Sequence, residues 1–182
     1  MRDNADGMWT NNFSKYELAV LHYMKRTIVL TLIKFAVLWV LFWMLGLGQE
    51  YLVSVGVLTS TRSFLGGLHF NGFWSCLIFS TMSFAVVLTL QYLVPLTPQL
   101  QILILLICLA VSRRVGPVIS ANRPKYSSLQ KRRFLYIGLF VILAYCIILA
   151  FCETRFSDII AYTVACQTIQ LVWGKVKGGN VQ

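Results

Sequence analysis

The chain has 182 residues, 58% of them apolar and 12% charged, with 16 Lys and Arg against 6 Asp and Glu and a formal net charge of +10. Charged content is about half that of an ordinary soluble domain and mean hydropathy is +0.72, which excludes soluble globular, disordered, collagen-like and disulfide-scaffold classes. Apolar runs of about 15–25 residues recur instead, the pattern of an all-α polytopic membrane protein, and the positive charge then belongs to cytosolic connections and an anionic membrane surface or partner rather than to nucleic acid.

Residues 8–26 come first. Trp9, Phe13, Tyr16, Val20 and Tyr23 recur at intervals of three or four residues, with Lys15, Glu17, Lys25 and Arg26 between them. That periodicity predicts an amphipathic helix lying in the membrane interface. The first span is 27–47, with Lys34 as its only charge. Residues 51–68 are moderately apolar and are interrupted by Gly56, Arg62, Gly66 and Gly67, whereas 73–94 is a strong run closed by Pro95 and Pro98. The next run, 99–112, is short for a crossing at about 1.5 Å per helical residue. A basic loop covers 113–133, and 134–152 and 159–173 are the last two runs before a short polar tail. The whole reads as one membrane domain over 1–182. Its opening residues, Met1–Asp6, lack the basic-then-apolar layout of a cleavable signal peptide.

Charge placement orients the spans. Four Lys or Arg fall in 1–26, seven in 113–133 and two in the C-terminal tail, which is thirteen of the sixteen. All thirteen belong on the cytosolic side, while Glu50, Glu153 and Asp158 fall in the opposite connections. An even number of crossings must therefore separate 1–26 from 113–133, so the Gly-interrupted stretch 51–68 has to supply one. The count becomes about six transmembrane helices with both termini inside, and residues 62–76 reach the cytosolic membrane face. A re-entrant path for part of that stretch is the alternative, since irregular backbone at membrane depth survives only inside protein or along a cavity.

The stretch Thr61–Cys76 concentrates the chemistry: Arg62, the pair Gly66 and Gly67, His69 and Cys76 stand within one apolar region. Ionisable groups there are costly and mark function by default. A cysteine with a histidine suggests a thiolate nucleophile whose proton passes to an imidazole base. Seven residues apart on a continuous helix, the two would stand about 10 Å from each other, too far for a hydrogen bond. The chain must fold back between them, and Gly66, Gly67, Asn71 and Gly72 permit such a turn. Cys76 then lies near a helix N-terminus. Local physics leaves a second reading open, a packed cysteine and a histidine at the interface. The other four cysteines, Cys108, Cys146, Cys152 and Cys166, lie in or at the ends of apolar runs as small hydrophobes. Cysteine and histidine spacing matches no zinc framework, so neither a metal site nor a cofactor is expected.

Arg62, Gly67, His69 and Cys76 reproduce the order R-x4-G-x-H-x6-C, with Gly66 as an extra glycine before the motif glycine. This resembles the accessory gene regulator B (AgrB) family, membrane cysteine endopeptidases of Gram-positive quorum sensing. A second segment agrees: Gly116-Pro117-Val118-Ile119-Ser120-Ala121-Asn122-Arg123-Pro124, followed by Lys131-Arg132-Arg133, is similar to the Ala-Pro-x-x-x-x-Asn-Lys/Arg-Pro loop of that family. Gly116 stands where the family usually has alanine, and Ile119 where an acid is frequent. The resemblance spans most of the chain. It implies a plasma-membrane enzyme with its active site at the cytosolic face, in which Cys76 is the nucleophile and His69 the general base and acid. The substrate would be an AgrD-type propeptide with an acidic C-terminal tail, and the product a cyclic thiolactone or lactone. A homodimer is compatible with it.

Two further groups of residues carry paired readings. The basic loop, through Arg123, Lys131, Arg132 and Arg133, docks the acidic tail or simply holds the loop inside. Arg62, with Gly66 and Gly67 beside it, binds a substrate carboxylate or snorkels to the headgroups. The rival function is a non-enzymatic small transporter or assembly subunit; a second rival adds export of the cyclic peptide to its production. Gln167 and Gln170 in the last run are expected only to hydrogen-bond across helices.

Overall fold

The computed structural model describes residues 15–67, 72–118, 127–152 and 154–179. Among them are six helices and no strand, as expected for an all-α membrane protein. The chain divides into two units, Met1–Leu41 and Phe42–Gln182.

The first unit is occupied by most of helix α1, Lys15–Met44, a 30-residue helix that contains neither glycine nor proline. With no residue to break it, the described part of the amphipathic stretch, 15–26, runs directly into the first apolar run. Lys34 is half-buried, and its Nζ lies 5.1 Å from the centroid of the Phe35 ring, a placement that draws on the electron-rich ring face.

Within the second unit, α1 stops at a glycine in the left-handed region. The Leu47 N–H donates to the Phe42 carbonyl at 2.8 Å and the Gly46 N–H to the Trp43 carbonyl at 2.9 Å, the paired bonds that satisfy a helix C-terminus. Helix α2, Gly48–Leu65, follows at once and passes through Gly56 without a break. Its Tyr51 is buried, stacked on Phe42 at 5.1 Å and edge-on to Phe84 at 4.9 Å. Helix α3, Phe73–Leu93, ends before Pro95, and α4, Pro98–Val115, begins with a proline at its first position, where the missing N–H is harmless. At 18 residues α4 extends beyond the run 99–112 at both ends, because Arg113 and Arg114 continue the helix as its last turn. Helix α5, Ser128–Phe151, starts inside the basic stretch. Ser127 accepts from the Gln130 N–H at 3.3 Å while Gln130 Oε1 accepts from the Ser127 N–H at 3.0 Å, a reciprocal cap.

Helix α6, Ser157–Gly179, is the hub: it packs against α2, α3 and α4 and touches α5. Ile159, Ala161, Thr163, Val164, Gln167, Thr168, Gln170 and Leu171 are all buried, so α6 hides residues on most of its circumference. A helix that carries two glutamines and several hydroxyls in an apolar medium must turn them toward protein. One result is the bond between Ser54 Oγ and Thr163 Oγ1, 2.9 Å long and buried. At its start, Asp158 Oδ1 accepts from Gln101 Nε2 at 2.8 Å and from the Leu96 N–H at 3.3 Å, and Tyr162 Oη donates to the Val94 carbonyl at 2.6 Å. These bonds tie α6 to the α3–α4 connection. Nearby in sequence, Arg155 hydrogen-bonds to Gln49 at the start of α2.

Among the described residues, three helices are long and apolar enough to cross a membrane: α3, α4 and α5. A shorter apolar stretch, the 17 residues Ile28–Met44 with Lys34 as their only charge, lies within α1. Helix α2 is made less apolar by Gln49, Glu50 and Arg62, and α6 by Asp158, its two glutamines and Lys175. Together with the composition, the three apolar helices make the chain a membrane protein.

Candidate active site

The last turn of α2 carries Arg62, half-buried, and ends on Leu65. The Gly66 N–H closes the helix by donating to the Arg62 carbonyl at 2.9 Å. Gly66 has φ 77° and Gly67 φ 155°. Both lie in the region that disfavours side chains, so the chain turns away from the helix on two residues that glycine suits.

This turn is held by two distant segments. The Val118 N–H donates to the Leu65 carbonyl at 2.9 Å, and Gly66 and Val118 form an isolated parallel bridge. The two segments singled out in sequence, one ending α2 and the other following α4, are thereby joined main chain to main chain. From α6, Gln167 Nε2 donates to the Gly66 carbonyl at 2.6 Å. Two turns further along, Lys175 Nζ donates to the Val115 carbonyl at 2.6 Å and satisfies an otherwise orphaned acceptor at the end of α4. Gly138 of α5 completes the packing: a Cβ there would stand 2.6 Å from Leu65 Cγ, so α5 approaches the end of α2 at backbone distance.

Cys76 lies on the far side of residues 68–71, in the first turn of α3 and half-buried. Its N–H donates to the carbonyl of Gly72, which is extended, at 3.1 Å. The thiol is thus set beside the N–H groups of a helix start, the end that favours negative charge. None of the five cysteines is in a disulfide.

Of the residues expected from sequence, Arg62, Gly66 and Gly67 are gathered at one turn. A Cβ on Gly67 would lie 3.6 Å from Arg62 Nε. Lys131, Arg132 and Arg133 are exposed on the first two turns of α5 rather than in a loop. His69 and Arg123 lie outside the described residues. Gln167 is the participant missed by sequence reasoning, which gave it no meaning beyond helix contact. Its only signal was a carboxamide inside an apolar run, and the Gly66 partner is 101 residues away.

Charge is unevenly spread along the second unit. Arg62, Arg113, Arg114, Lys131, Arg132, Arg133 and Lys175 collect around the end that carries the Gly66–Val118 bridge, whereas Asp158, tied to the α3–α4 connection, and the cation Arg155 lie at the other end.

A model of the accessory gene regulator B family matches residues 5–171. An AgrB-like protein of Clostridium beijerinckii is 27% identical over 168 residues, which is 91% of this chain and 82% of that relative. No solved structure matches the chain. The family match runs from before α1 into α6 and takes in both bridged segments, Gln167 and Cys76, so the chain belongs to the accessory gene regulator B family.

Proposed function

We propose that the chain is a multi-pass cysteine endopeptidase of the cell membrane of a Gram-positive bacterium, which cuts the C-terminal tail from a short AgrD-type propeptide and promotes its cyclisation. The family places the chain in the accessory gene regulator system. The observation that carries the finer reading is the join between the two motif segments. A turn that is glycine at two strained positions, bridged to Val118 and bonded from Gln167, is a constructed element rather than a chance loop, and it leads by sequence to His69.

In this reading the Cys76 thiolate attacks the carbonyl carbon of the scissile peptide bond, having passed its proton to His69. The C–N bond breaks, His69 returns the proton to the departing amine, and the propeptide remains as a thioester on Cys76. A cysteine or serine within the bound peptide then gives its proton to His69 and attacks the thioester carbonyl; the C–S bond to Cys76 breaks, the Cys76 thiolate leaves, and a thiolactone or lactone ring closes. The thioester conserves acyl-transfer potential, and partial exclusion of water at the membrane face favours ring closure over hydrolysis. Arg62 and the exposed Lys131–Arg133, with Arg123, supply positive charge for the acidic tail.

The test is co-expression of the chain with a candidate AgrD-type propeptide, followed by intact-mass analysis of peptide and protein. Wild type should yield a tail-less peptide or an acyl adduct on Cys76, and Cys76→Ala neither. Equal processing with Cys76→Ala would leave a non-enzymatic membrane subunit as the better reading.

The proposed orientation has its own check. The excess of cations at the Gly66–Val118 end supports a cytosolic side for it and for the start of α5. A cysteine introduced at the exposed Ser128 should react with an impermeant maleimide only after the cells are permeabilised. Labelling in intact cells would reverse the topology.

A further inference from the structure

A groove of about 570 Å³ lies between α4 and α6, lined from Ile104 to Val111 on one helix and from Ala165 to Val176 on the other. No charged residue lines it. Cys108 and Thr168 are buried in its floor, and the Thr168 hydroxyl donates to the Val164 carbonyl at 2.8 Å. The two helices run parallel: Gln101 bonds to Asp158 near their starts, and Lys175 to the Val115 carbonyl near their ends. Toward the second end the lining stops and charge begins. Arg114 stands three residues beyond Val111 and Lys175 three beyond Val172, so each continues the groove face of its helix, and both are exposed. Arg113 adds another exposed cation in the same turn of α4. Helices α3, α4 and α5 contain no Asp or Glu, and α6 has only Asp158, at its far end. The four helices therefore offer these cations no carboxylate.

We propose that this groove binds an anionic phospholipid, with one acyl chain lying between α4 and α6 and the phosphate meeting Arg114 and Lys175. Depth fits first. From 104 to 111 and from 165 to 176 the helices rise about 10 and 16 Å, close to one leaflet, half of a hydrocarbon core about 30 Å thick. Volume then separates the occupants. An α-helix with its side chains is about 10–12 Å across, so 16 Å of it fills about 1,300 Å³ or more, over twice the groove. A propeptide helix or a second copy would rest on the groove without entering it, whereas an acyl chain enters. Charge selects the headgroup, because exposed cations beside a lipid-facing cleft favour an acidic lipid over a zwitterionic one. Such a site is independent of the peptidase reading.

Trp173 lines the groove and is 57% exposed, which makes it a reporter. The full chain is reconstituted in phosphatidylcholine vesicles that hold a minor fraction of phosphatidylglycerol brominated on its acyl chains. A parallel set carries the bromine on phosphatidylcholine instead. The quenching that Trp173→Phe removes is the share of Trp173. Phosphatidylglycerol should associate about 25-fold more strongly than phosphatidylcholine, about fivefold for each of two cations. Arg114→Gln with Lys175→Gln should erase that preference; glutamine at 175 keeps a donor for the Val115 carbonyl. If the double variant does not accumulate, Arg114→Gln alone decides, with about a fivefold loss expected. Val111→Phe fills the mouth with the charges in place and should also weaken phosphatidylglycerol quenching; Ala165→Leu, at the other end of the groove, replaces it if it does not accumulate. Equal quenching by the two lipids would overturn the proposal, as would a preference that survives loss of the cations. Quenching by neither lipid would mean that protein covers the groove, and full preference after filling would mean that the headgroup is held without it. Each of these also overturns the site.

Discussion

Alanine at position 69 is expected to abolish propeptide cleavage while leaving the protein in the membrane at normal amount. A positioned base that takes the nucleophile's proton contributes about 10²–10⁴-fold, and His69 is the only imidazole outside the N-terminal tail. No other histidine lies in the segment to replace it. In the proposed mechanism the same imidazole acts twice, since the tail departs as an amine that must gain a proton. Cys76→Ser should be similarly inactive, because a hydroxyl gives up its proton far less readily than a thiol and forms an ester instead of a thioester. Cleaved peptide would be counted by mass spectrometry against protein in the membrane fraction. More than about one part in a hundred of wild-type cleavage by either variant would sink the pair, given the size of the base contribution.

The second large effect is expected at Gly66. Alanine there would put its Cβ against the carbonyl oxygen of Val118, a main-chain atom that cannot swing aside, on a residue with φ 77°. The left-handed conformation alone costs about 1–2 kcal/mol for a residue with a side chain. Parting the bridge adds about 1 kcal/mol for the lost Val118–Leu65 hydrogen bond. Gly66→Ala should therefore lower the unfolding temperature in detergent and separate the two motif segments, with cleavage falling to background. Gly56, in the middle of α2 with nothing within 4 Å of its virtual Cβ, is the internal control. Alanine there should be neutral or stabilising by up to about 1 kcal/mol. Equal behaviour of the two variants would mean that the bridge does not hold the site.

Span positions were readable where apolar character is continuous. The runs 73–94 and 134–152 overlap α3 and α5, because proline ends one and no charged residue interrupts either. The edges near charge were less readable. Arg113 and Arg114 look like loop residues by composition, yet an arginine continues a helix well, and α4 keeps both. The start of α5 had a signal that charge obscured: serine three residues before glutamine, Ser127 and Gln130, ahead of the basic triplet. At the site, order and spacing brought out Arg62, Gly66 and Gly67, which are neighbours along the chain. That the 116–118 segment lies against them, and that Gln167 bonds to Gly66, depends on how helices far apart in sequence pack. A hydropathy pattern carries no information about which buried amide meets which carbonyl.

The hub position of α6 has a consequence for biogenesis. Because α6 follows the other five helices in the chain, the translocon releases α2, α3, α4 and α5 before the element that joins them exists. The hydroxyls and amides that those helices turn inward have no partner on α6 until synthesis passes residue 170. The turn at Gly66 likewise receives its bond from Gln167 only at that stage. A nascent chain thus carries Cys76 well before the turn at Gly66 receives its last hydrogen bond, so the fold around that turn is completed only at the end of synthesis.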